Sequence, residues 1–160
     1  MKPESISEQL MFNTVRLETE SGMGTGFFYN FKVGENIYPT IITNKHVVNH
    51  KQDENVKFHL HLREENGESN TSIGIKMNAH WYFHSTKDLC FTFVNPVFEG
   101  VKKAYGKDVF FIANDASIMA TREKLQELQR NTQMHCLKQP VKRHYLIQLH
   151  PVIRVLKTSL

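Results

Sequence analysis

The sequence predicts an all-β protein, an antiparallel β-barrel or sandwich, and three observations predict it. Short apolar runs of strand length recur through the first hundred residues, glycine and polar clusters punctuate them at hairpin spacing, and a helical signature is legible once only, from Thr121 onward. Many short strands with one late helix belong to barrels and sandwiches rather than to alternating α/β folds. With 160 residues the chain has room for one ordinary domain.

The first strand is expected over Phe12 to Leu17, the second over Gly26 to Phe31, and the third over Ile37 to Thr43 after a Gly34-Glu35-Asn36 turn. Val56 to Arg63 alternates strictly, with Val56, Phe58, Leu60 and Leu62 on one face and Lys57, His59, His61 and Arg63 on the other. That period of two predicts one core face and one wet face, with both histidines exposed. A polar turn, Glu64 to Asn70, leads to Thr71 to Met77 and then to Trp81 to Phe83. Leu89 to Val94 is apolar on both faces, as a buried strand is, and Val109 to Ala113 reads the same way. The helix begins at Thr121, a candidate N-cap, with Glu123, Leu125 and Leu128 behind it and acids in the first turn.

Composition excludes several classes. At 40% apolar and 22% charged residues the chain reads as soluble and globular, and its longest apolar runs fall far short of the ~20 residues of a membrane span. Residues Met1 to Leu10 carry two acids where a secretory signal would have its apolar centre. Two cysteines, Cys90 and Cys136, cannot build a disulfide framework. A cytoplasmic setting is the expectation. All 16 acidic residues lie at or before Glu127, so residues 129–160 form a basic tail with six cations and no anion. Those cations are dispersed among Tyr145, Leu146, Ile147, Val152, Ile153 and Val155, whereas phosphate binding needs clustered charge. Nucleic acid is therefore not the expected partner.

Two segments carry chemistry. The first is Gly24-Thr25-Gly26-Phe27-Phe28-Tyr29, followed by Thr40-Ile41-Ile42-Thr43-Asn44-Lys45-His46-Val47-Val48; the second is Thr86-Lys87-Asp88-Leu89-Cys90-Phe91. Their order and separation resemble those of the trypsin-like serine peptidases of the chymotrypsin-like fold, especially the bacterial kind without disulfides. In that family G-[ST]-G-F-F opens a strand, T-N-x-H-V-V carries the general base and a later [KH]-D-L-A carries the acid. The resemblance covers Phe12 to about Leu128, which sets the expected organisation as an extension over 1–11, the family's N-terminal six-stranded barrel over 12–128 and the tail over 129–160.

The resemblance implies endopeptidase chemistry through an acyl-enzyme on a peptide or protein substrate, without a cofactor. A serine hydroxyl is a weak nucleophile at neutral pH, so an imidazole must take its proton and later return it to the leaving amine. His46 stands in that position. A buried carboxylate on the opposite ring nitrogen fixes the tautomer and offsets the charge that forms during attack, and Asp88 stands there. Gly24 and Gly26 would allow close backbone packing beside the base.

The third member of the set is absent. The resemblance requires a serine in a Gly-x-Ser-Gly setting after the aspartate, whose glycines let two backbone N–H groups face the developing oxyanion. After Asp88 the only serines are Ser117 and Ser159, and no glycine follows Gly106. Cys136 has no glycine neighbour, and Cys90 falls inside an expected strand, two residues after the acid Asp88. Barrel proteins of this sort commonly run to ~200 to 250 residues, so the expectation is an incomplete fold, by truncation, frameshift or natural loss, that does not hydrolyse peptides. A non-catalytic protein-binding β-barrel module is the alternative.

Other side chains invite weaker readings. His59 and His61 share one strand face, with His80 and His84 later, but no cysteine or carboxylate stands at ligand spacing and no metal site is expected. Trp81, Tyr82 and Phe83 could form a binding platform, and the stronger expectation is barrel core beside the acid-bearing loop.

Overall fold

The computed structural model describes residues 3–118. The helix expected from Thr121, the basic tail, Cys136 and Ser159 lie outside the described residues. Residues up to Asp115 make one unit, and Ala116 to Ile118, a 3-10 turn, opens a second.

The first unit is mostly antiparallel β, a curled, half-barrel sheet with two helices. The elements are α1 (Ile6–Asn13), β1 (Thr14–Thr19), β2 (Gly22–Val33), β3 (Asn36–Thr43), β4 (Asp53–Leu62), β5 (Thr71–His80), β6 (Tyr82–Phe83), β7 (Cys90–Phe93), α2 (Asn95–Tyr105) and β8 (Val109–Phe110). Strand order is β5-β4-β1-β2-β3-β7-β6, with β8 joined to β4. The barrel-like all-β class is therefore present.

Each strand follows from its pattern. Gly34, at φ 60°, supplies the left-handed residue that a two-residue hairpin turn needs between Val33 and its partner Asn36. In β4, Val56, Phe58, Leu60 and Leu62 are buried in alternation, as period two demands. Val15 and Leu17 of β1, Phe28 of β2, Ile41 of β3 and Cys90 of β7 join that row in one core, with Trp81 fully buried among them. Of the expected run Val109 to Ala113 only Val109–Phe110 pairs as a strand. Beyond it the backbone crosses to β2, where the Asn114 N–H donates to the Phe28 carbonyl at 3.0 Å and the Asn114 carbonyl accepts from the Asn30 N–H at 2.7 Å.

Two helices correct the expectation of a single late one. Over α1, where the first strand was expected to begin at Phe12, Ser5 caps the helix and Glu8 returns the bond to the Ser5 N–H. This reciprocal box outweighs the strand-like apolar run and delays the strand by two residues. Over α2, Pro96 sits in the first turn, Val97 and Val101 are buried one turn apart, and Gly106 closes the end at φ 68°. That helix packs on β5, where Gly100 lies against Ile75. Among the described residues no helix is long and apolar enough to cross a membrane.

Candidate active site

His46 and Asp88 come from the adjoining ends of the paired strands β3 and β7. Strand β3 ends at Thr43, whose partner in β7 is Cys90, so the residues just beyond each end emerge side by side. After β3 the chain enters a 3-10 turn, Lys45–Val48, with Val48 wholly buried and Val47 against Gly24. A Cβ on Gly24 would fall 2.5 Å from Val47 Cγ1, so the glycine is what lets this turn seat on β2. Asn49 and His50 then take left-handed φ values of 56° and 55°, which turn the chain back toward β4. The Ser21 hydroxyl, from the β1–β2 turn, donates to the Asn49 side chain and ties that reversal down.

His46 Nδ1 and Asp88 Oδ2 are 2.5 Å apart. The other carboxylate oxygen, Oδ1, accepts from the His46 backbone N–H at 3.2 Å, and Asn44 Nδ2 donates to the Asp88 carbonyl at 2.6 Å. The ammonium of Lys45 lies 5.5 Å from the centre of the Phe83 ring, which ties the turn to β6. Burial pushes the Asp88 carboxyl up, but the hydrogen bonds from the His46 ring and backbone prevail and hold it below its ordinary value. An ionised Asp88 on Nδ1 fixes the neutral ring with its proton on Nδ1, leaving Nε2 able to accept one.

One expectation needs correction. Asp88 is not buried: its side chain is 45% exposed and that of His46 is 63% exposed. The reason is local, since residues 85–88 form an exposed turn between β6 and β7.

The remaining candidates scatter. Ser117 lies in the 3-10 turn of the second unit. Cys90 is buried, and its thiol is pushed up to about 12 by that burial, with the Asp88 charge adding and Lys45 opposing, so it is held as an unreactive thiol. His59 and His61 are half-buried rather than exposed, because His59 is bonded to Glu18 at 2.9 Å and His61 packs edge-on against Phe12. Burial lowers the pKa of His61. His80 bonds to Asp53 at 2.8 Å on an exposed strand end. Among the described residues no group of three His, Cys, Asp or Glu side chains could hold a metal ion. Of the three aromatics, Trp81 and Phe83 face the core, whereas Tyr82 points to the other side of the sheet and is 39% exposed. Its period-two position opposite Phe91 puts it there.

Two contributors escaped sequence reasoning. Asn44 stands inside the T-N-x-H string, but nothing in the string names the Asp88 carbonyl as its partner, and His84, whose Nδ1 accepts from the Thr86 and Lys87 N–H groups, belongs to neither motif. No protein-family model, no curated protein and no solved structure matches this chain.

Proposed function

We propose that the described unit is the N-terminal barrel of a trypsin-like serine endopeptidase with the chymotrypsin-like fold, retaining the general base His46 and its orienting carboxylate Asp88. The observation that carries the reading is the 2.5 Å contact between His46 Nδ1 and Asp88 Oδ2, made by two segments 42 residues apart in sequence. In the reaction His46 would take the serine proton on Nε2 and return it to the leaving amine, while Asp88 holds the ring and offsets its charge. Removing the nucleophile of such a set costs nearly as much as removing all three members, and the oxyanion-binding Gly-x-Ser-Gly string is also missing from this sequence. This chain alone therefore binds no acyl group and hydrolyses no peptide.

Two measurements test the reading. A fluorophosphonate probe is expected to leave the protein unlabelled, and nitrogen-15 NMR is expected to find the neutral His46 ring protonated on Nδ1, a preference lost in Asp88→Asn. A ring protonated on Nε2 in the unaltered protein sinks the proposal. Labelling that disappears in His46→Ala would show instead that a serine of this chain is activated. A second reading, a non-catalytic protein-binding module, is favoured by the missing nucleophile string alone, and peptide hydrolysis would end it.

A further inference from the structure

The aspartate of the pair stands on a short exposed loop, and such loops do not hold their shape unless something inside them does. The loop from His84 to Leu89 is closed at its base by one backbone bond, the His84 N–H donating to the Leu89 carbonyl at 2.9 Å. Its apex, Ser85 to Asp88, is exposed. His84 itself is buried, 8% exposed, and its ring turns back into the loop. The Thr86 N–H and the Lys87 N–H both donate to His84 Nδ1, each at 3.1 Å.

The tautomer follows from the partners. Two backbone N–H groups can only donate, so Nδ1 is the unprotonated nitrogen and the ring proton sits on Nε2. The arrangement is that of an Asx turn, in which a side-chain acceptor bonds the backbone two and three residues on and replaces a backbone turn. Lys87 immediately precedes Asp88, so the ring acts one peptide away from the carboxylate.

We infer that His84 is the positioning residue of the pair: through Nδ1 it folds the loop that presents Asp88 to His46. This rests on the proposed reading of His46 and Asp88 as base and orienter, but it assigns a role to a residue outside both motifs. The chemistry demanded is an acceptor at the Nδ1 position. Asparagine supplies one, because its Oδ1 is the same number of bonds from the backbone, whereas leucine fills the space with no lone pair.

The test is made on the full chain by NMR with His84→Asn and His84→Leu. In the unaltered protein, nitrogen-15 correlations are expected to show His84 protonated on Nε2, and the Thr86 and Lys87 amides protected from exchange. His84→Asn is expected to keep that protection and the low titration of the Asp88 carboxyl. In His84→Leu the two amides should exchange roughly fivefold faster, the loss of one ordinary hydrogen bond each. The Asp88 carbon-13 titration should also move up toward the usual carboxylate range. A His84 ring protonated on Nδ1, or a folded His84→Leu protein whose Asp88 titrates as before, overturns the inference and leaves the pair intact. If Asp88 already titrates as an ordinary carboxyl in the unaltered protein, the base-and-orienter reading fails first and takes this one with it. Should His84→Leu not fold, the tautomer and the His84→Asn comparison still decide.

Discussion

The face of the sheet turned away from the core differs between its two halves. On β5, β4 and β1 it carries Lys76, Asn78, Lys57, His59, Arg16 and Glu18. On β2, β3, β7 and β6 it carries Phe27, Tyr29, Phe31, Tyr38, Ile42, Phe91, Phe93 and Tyr82. The aromatic half is a connected set of rings: Tyr82 stacks on Phe91 at 5.0 Å, Phe91 meets Phe31 and Phe93, and Phe31 meets Tyr29. One half is thus a strand layer with a single apolar face, and the other has two. The candidate pair sits where β3 and β7 end in the two-faced half, so its supports are held by packing on both sides.

The largest expected effect tests that difference directly. Phe91→Ala, at 4% exposure and in contact with the rings of Phe31, Tyr82 and Phe93, should destabilise by about 3 to 5 kcal/mol. His59→Ala, on the polar half, should stay near about 1 kcal/mol, since one partly buried hydrogen bond to Glu18 is lost. Denaturant midpoints of the two variants measure both. Equal losses would mean that the aromatic face is not a second core.

A smaller contrast comes from two glycines. A Cβ on Gly26 would meet Ile41 Cγ2 at 2.7 Å and the Ile42 carbonyl at 3.1 Å, neither of which can retreat without moving β3. Gly26→Ala should therefore cost about 1 to 3 kcal/mol as overpacking. A Cβ on Gly74 would meet only Lys57 Cε at 2.6 Å, the far end of a flexible side chain. Gly74→Ala is expected to be neutral or slightly stabilising, because alanine is the less costly strand residue to order. Chemical denaturation of the pair separates the two halves again.

The same contrast explains what could be read from the sequence. β4 was legible to within a few residues because its one-faced burial writes strict alternation into the chain. β7 was legible as buried from both faces, but not which face held which neighbours, since Phe91 and Cys90 are equally apolar as letters. The pair His46 and Asp88 was legible from short strings resembling a known family. The helices were not: the Ser5 and Glu8 box was present as letters, and so were Pro96 and Gly106, but each lay beside an apolar run that also fits a strand. His84 was out of reach because its role depends on two backbone N–H groups, and backbone geometry leaves no residue type behind.

Next in size is the acid limb of stability. The Asp88 pKa in the folded protein lies below its unfolded value, so its contribution is present above the unfolded pKa and is lost as pH falls through the folded one. Asp88→Asn should therefore destabilise at neutral pH and match the unaltered protein in strong acid. The side chain is nearly half exposed, so the difference should stay below about 1 kcal/mol. Urea titrations at pH 7 and near pH 2 test it. A difference that persists in acid would assign the effect to packing rather than to charge.

The smallest expected effect lies wholly on the polar half. Lys57 and Lys76 are direct cross-strand partners, two like charges on the exposed face of β4 and β5. Such pairs are mildly unfavourable, and Lys57 is already drawn toward Glu18, 3.8 Å away on β1. Lys76→Glu would set Lys57 between two carboxylates, replacing a repulsion with an attraction worth roughly 0.2 to 1 kcal/mol. Because these groups are exposed, the gain should shrink as salt is raised from 0.01 to 1 M, over which the screening length falls from about 30 Å to about 3 Å. Thermal melts of the variant at the two ionic strengths would show it. A gain that ignores salt would mean that the substitution acts through strand propensity or Lys57 packing, and that the polar half is held by more than its one apolar face and its surface charge.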